Sequence, residues 1–144
     1  MNEKVILRLN KFAKFMIAFL ILAFISGMII NLFITFPDIP YGIVQSDQYY
    51  PLFMEYKTLL FHYVLGILLL IGAIVGLTLS YKTNQTEIIV INAVGFLSIL
   101  VAVVAGLVFM HYAFSTAMDS FIMSLGFLVA LVAYLAVFYE TKMV

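Results

Sequence analysis

Two histidines stand in a chain otherwise poor in groups able to bind or transfer anything. They are set as Phe61-His62-Tyr63 and Met110-His111-Tyr112. Neutral imidazole is a good ligand for iron and other transition metals, and it carries protons near neutral pH. Two such rings on neighbouring helices could supply the axial ligands of a b-type haem. A second constellation joins His62 to Glu55 and Asp119, with Asn31 near the same depth. Two carboxylates and an imidazole at one end of a helical bundle could hold a divalent metal or pass a proton. Asp119 has a competing use as a helix cap with Thr116. The chain has no cysteine, which removes thiolate metal sites, disulfides and thiol redox chemistry. It also shows no nucleophile–base pair, phosphate loop or zinc motif. The constellation for an enzyme is incomplete, so the sequence leans away from catalysis.

The elements that must position these residues are set by composition. Of 144 residues, 66% are hydrophobic and 10% charged, and mean hydropathy is +1.21. A soluble domain is about a quarter charged, so this chain lacks the polar surface to stay in water. Four apolar runs, 15–36, 59–80, 88–110 and 120–139, each reach the roughly 20 residues that a helix needs to cross a bilayer. They are continuous and do not alternate, which excludes a membrane β-barrel. The expected fold is all-α: an integral membrane antiparallel four-helix bundle forming a single transmembrane domain over 1–144. The expected partners are the lipid bilayer and other membrane subunits, and no nucleic acid is expected.

Charge gives the orientation. Lys4, Arg8, Lys11 and Lys14 precede the first span, Lys82 follows the second and Lys142 the fourth, leaving Lys57 alone on the opposite side. The positive-inside bias puts both termini in the cytoplasm of a multi-pass cell-membrane protein. The first apolar run is too long for a signal peptide core and is expected to be retained. The outer loop, 37–56, carries Tyr41, Tyr49, Tyr50 and Tyr56, suited to the headgroup layer, and Pro51, suited to a helical first turn. Asn84 with Glu87 has the spacing to cap the third span.

At 100° per residue, the second span gathers Glu55, Thr58, His62, Gly66, Ala73, Gly76 and Ser80 on one face. Comparable small or polar faces run through Phe24, Gly27, Asn31 and Thr35 on the first span. They run through Asn92, Gly95, Ala102, Gly106, Met110 and Ala113 on the third, and through Asp119, Met123, Gly126, Ala130 and Ala133 on the fourth. Such faces allow close helix approach in lipid, either inside one bundle or against another subunit. His62 is expected to look inward. His111 lies about 145° from the centre of its helix's small face and ends an aliphatic stripe, so it is expected to look toward lipid.

Met54-Glu55-Tyr56 followed by His62 resembles the outer start of the second helix in one four-helix half of a haem A synthase. That motif reads Glu-Tyr-x-His-Arg; here Thr58 stands three after Glu55, no arginine follows, and the fourth span has no histidine. The resemblance implies a four-helix membrane haem protein with His62 as a haem ligand. With no catalytic set complete, the leading expectation is a small membrane subunit packed among other subunits of a larger complex, respiratory or electron-transferring. The alternatives are a stand-alone haem- or metal-binding protein with its site around His62, and, behind these, a haem A synthase-like enzyme or a small transporter.

Overall fold

A computed structural model describes residues 3–34, 49–112 and 117–142. Within them the chain forms five helices and no strand: α1 Glu3–Phe33, α2 Tyr49–Glu55, α3 Lys57–Tyr81, α4 Thr86–His111 and α5 Ala117–Lys142. All but α2 are long and apolar enough to cross a membrane. Their exposed surface is a continuous girdle of large apolar side chains, among them Ile21, Leu68, Val101 and Leu128. That pattern is stable only in an apolar surrounding. In such a surrounding every polar hydrogen needs an internal acceptor. Thr78, Ser98 and Ser124 accordingly donate their hydroxyls to the backbone carbonyls one turn back, at 2.8–2.9 Å.

The four long helices form a ring in which α1 touches α3 and α5, and α4 touches α3 and α5. Every seam is antiparallel. Along α1–α3, Phe12 lies by Gly76, Met16 by Gly72 and Gly27 by His62. Along α4–α5, Gly95 meets Tyr134 and Gly106 meets Met123. Along α1–α5, Phe24 stacks on Phe127 at 5.2 Å, and Asn10 donates to the Phe138 carbonyl and to Thr141 Oγ1 at 3.2 and 3.0 Å. The small-residue faces expected on α3, α4 and α5 are thus used inside the chain.

Three differences from the sequence expectations have local causes. Helix α1 starts at Glu3, about 18 Å of helix before residue 15. Its first turns bury Ile6, Leu9 and Ala13, the last two in a cluster with Ile88 and Val137. The most tightly buried line of α1 runs through Ala23, Ser26 and Ile30, and the expected face of Phe24, Gly27 and Asn31 beside it borders the open space between the helices. Segment 49–56 does begin a helix around Pro51, but the chain breaks at Tyr56 (φ −105°, ψ 78°) before α3. Buried Leu52, and Phe53 against the Tyr63 ring at 5.2 Å, hold α2 on α3. Finally, Asn84 does not cap α4. It sits in the left-handed region (φ 56°), which Asn tolerates better than most residues, and Gln85 takes the cap position. Thr83 builds the turn, donating to the Ser80 carbonyl at 2.6 Å and accepting from the Gln85 amide at 3.2 Å. The Thr116 cap, Thr35, Ala113 and most of the outer loop lie outside the described residues.

Candidate functional site

The ring of helices does not pack to its axis along its whole length. Toward the end that carries α2, it leaves a partly open cavity of about 510 Å³, within the range of small-molecule sites. The deepest lining residues are Leu20, Leu69 and Ile99, beneath which Ala130, Ala73 and Tyr134 close the core. Toward the mouth the wall includes Ile34, Leu59, Met110 and Ser120. Most of the wall is aliphatic or aromatic. The polar side chains on it are Asn31, His62, Tyr63, Ser120 and Ser124.

His62 reaches the wall from α3, about 28 Å of helix from Tyr81. Two residues of α1 fix it there. Ser26, buried behind the wall, places Oγ 2.9 Å from His62 Nδ1, and donates its own hydrogen to the Ala23 carbonyl at 2.9 Å. A hydroxyl has one hydrogen to give. Both 2.9 Å contacts are hydrogen bonds only when Ser26 Oγ accepts from Nδ1–H, which assigns the proton of the neutral ring to Nδ1. Gly27 supplies the room, since a Cβ at that position would lie 3.0 Å from His62 Cε1. The pair has the atoms of a serine–histidine dyad but not its arrangement. Ser26 is not part of the cavity wall and its hydrogen is committed to the backbone, so Ser26 orients the imidazole and is no nucleophile. Ser26→Ala is expected to cost about 1 kcal/mol of stability, read as a lower melting temperature in detergent. Ser26→Thr, which keeps the oxygen, is expected to lose less.

Of the other residues that the sequence put forward, Asn31 lines the same cavity as His62, whereas His111, Glu55 and Asp119 are not on its wall. His111 is the last residue of α4, exposed, with its ring edge-on to Tyr112 at 5.2 Å, and it does not line the cavity. Its exposed position off the cavity agrees with the outward direction given by the face geometry. Glu55 ends α2 and is exposed, and Asp119 is half-buried in the first turn of α5. Among the described residues, no three of His, Cys, Asp and Glu come together as a metal-binding group. What the sequence did not yield is the cavity itself, the role of Ser26 and the open space beside Gly66, where a Cβ would meet nothing within 4 Å.

Compared with models of known protein families, with curated proteins and with solved structures, the chain matches none.

Proposed function

We propose that this chain is a multi-pass cell-membrane protein, with both termini in the cytoplasm, whose outer-side cavity binds a neutral, lipid-soluble molecule at His62. The observation that carries the reading is one imidazole, locked by Ser26 and Gly27, on the wall of an otherwise mostly apolar cavity of about 510 Å³. A buried apolar pocket with a few placed polar groups is the usual form of a ligand site, and an ionisable group inside an apolar span is costly to keep without a use. The distribution of Lys and Arg supports the orientation, with six on the terminal side against Lys57 on the other. An alkaline phosphatase fused after Val144 is expected to be inactive, and one fused within the outer loop active; the reverse pattern would invert the site to the cytoplasmic side.

A b-type haem is the neighbouring reading, and the donor set favours it less. Its second axial histidine would have to be His111, which stands off the cavity. Its propionates call for cations, and Lys57 is the only Lys or Arg between Lys14 and Lys82. Membership of a larger respiratory complex would call for a free close-packing face, whereas the glycines of α3, α4 and α5 other than Gly66 abut residues of this chain.

The test is the composition of the purified protein in native lipid particles. A stoichiometric neutral lipophilic molecule, enriched over bulk membrane and depleted in Gly66→Leu, is the expected result. No enrichment over bulk lipid would overturn the reading, and a Soret band lost in His62→Ala would replace it with the haem one.

A further inference from the structure

If the cavity is a ligand site, its hydrogen-bond polarity says what kind of ligand it takes. The chain of donors runs one way: His62 Nδ1–H to Ser26 Oγ, and Ser26 Oγ–H to the Ala23 carbonyl. The remaining ring nitrogen, Nε2, therefore carries a lone pair and no proton. Nε2 has no hydrogen-bond partner among the described residues, and it is not sealed in the core either. The buried side-chain atoms left unpaired there are Asn92 Oδ1 and Tyr134 Oη. An unpaired acceptor in an apolar cavity calls for a donor.

Ser124 adds a second acceptor to the wall. Its hydrogen goes to the Ser120 carbonyl at 2.9 Å, so it offers the cavity only oxygen lone pairs. Asn31, Tyr63 and Ser120 can donate as well as accept. No Lys, Arg, Asp or Glu lines the cavity among the described residues, so neither an anion nor a cation would find its counter-charge there. A ketone, ether or ester facing His62 would set lone pair against lone pair. Space for the apolar part of the ligand lies beside the imidazole, at Gly66, one turn deeper on the same face of α3.

We propose, resting on the cavity reading above, that the ligand carries a hydroxyl group and donates it to Nε2 of His62: a lipophilic phenol or alcohol. The site would select this class by hydrogen-bond direction, and shape would decide among its members.

The probes are para-decylphenol and para-decylanisole, which share the ring and tail and differ in whether the oxygen carries a hydrogen. Binding to the full chain in phosphatidylcholine nanodiscs is corrected for partition into empty nanodiscs. The phenol is expected to bind about tenfold tighter than its methyl ether. His62→Ala is expected to erase that ratio, and Gly66→Leu to weaken both probes while the fold is kept, as judged by the melting temperature. Equal affinities, or a tighter ether, on the unaltered protein would overturn the hydroxyl inference and leave the cavity reading standing. Failure of both probes to bind above the empty nanodisc would overturn the two together.

Discussion

Gly126→Ala is expected to cost about 1–3 kcal/mol of stability, the usual penalty for forcing a methyl group into a closed contact. At this position a Cβ would lie 2.8 Å from the Ser98 carbonyl oxygen, 3.2 Å from Ala102 Cβ and 3.3 Å from the Ala102 amide nitrogen. Two of the three are backbone atoms of α4, so no flexible side chain can turn aside. The α4–α5 seam must open, and it includes the buried Gly95, Ala130, Ala133 and Tyr134. Gly66→Ala is the matched control. There the new methyl meets nothing within 4 Å, and the helix gains the roughly 0.5–1 kcal/mol that Ala holds over Gly. Unfolding in mixed detergent micelles should separate the two substitutions in sign. Equal stabilities would mean that the seam is looser than these distances require.

The architecture was open to sequence reasoning because lipid leaves few options. Runs of more than 20 apolar residues must be helices if they are to satisfy their own backbone, and the turn between 80 and 86 is too short for anything but an antiparallel neighbour. The faces followed from angle alone where small residues recur at helical spacing. Ala73, Gly76 and Ser80 on α3, and Gly126, Ala130 and Ala133 on α5, are all buried. On α1 the expected face of Phe24, Gly27 and Asn31 lines the cavity. The tightly packed line lies one residue away, through Ala23, Ser26 and Ile30, and a 100° step does not distinguish adjacent stripes without a partner helix to choose between them.

The site was legible in its histidine, in Asn31 and in the small faces that line it, but not as an open space. Angle placed His62 inward and His111 outward, as found. Whether inward means packed or open depends on the gap between helices, and that depends on residues far apart in sequence. Phe12 and Met16 fill the α1–α3 seam beside Gly72 and Gly76, whereas nothing fills it beside Gly66. Ser26 escaped notice because a serine beside a glycine in an apolar run looks like a small packing residue. Its function is set by the Ala23 carbonyl and by His62, 36 positions away.

Tyr134 carries the other large expected effect, and its sign depends on which atoms are removed. The side chain is 1% exposed, with its ring laid across Gly95 and the cluster of Met16, Leu20 and Ala73 around it. Tyr134→Ala takes the whole ring out of that cluster and is expected to cost about 3–5 kcal/mol, as for other buried aromatic residues. Tyr134→Phe removes only the hydroxyl, which is buried with no partner among the described residues. Leaving a polar group unsatisfied costs about 1–3 kcal/mol, so the phenylalanine variant is expected to be as stable as the parent or more so. Asn92 provides the contrast. Its amide donates to the Ile88 carbonyl at 3.1 Å while its Oδ1 is the second unpaired atom, 3.2 Å from where a Cβ on Gly76 would stand. Asn92→Leu would remove both the unpaired oxygen and a made hydrogen bond, and would add bulk against Gly76, so it should lose stability where Tyr134→Phe does not. If Tyr134→Phe instead lost about 1 kcal/mol, the hydroxyl would have to be hydrogen-bonded in the working protein. The buried floor beneath the cavity would then be a polar link between the helices in addition to an apolar plug.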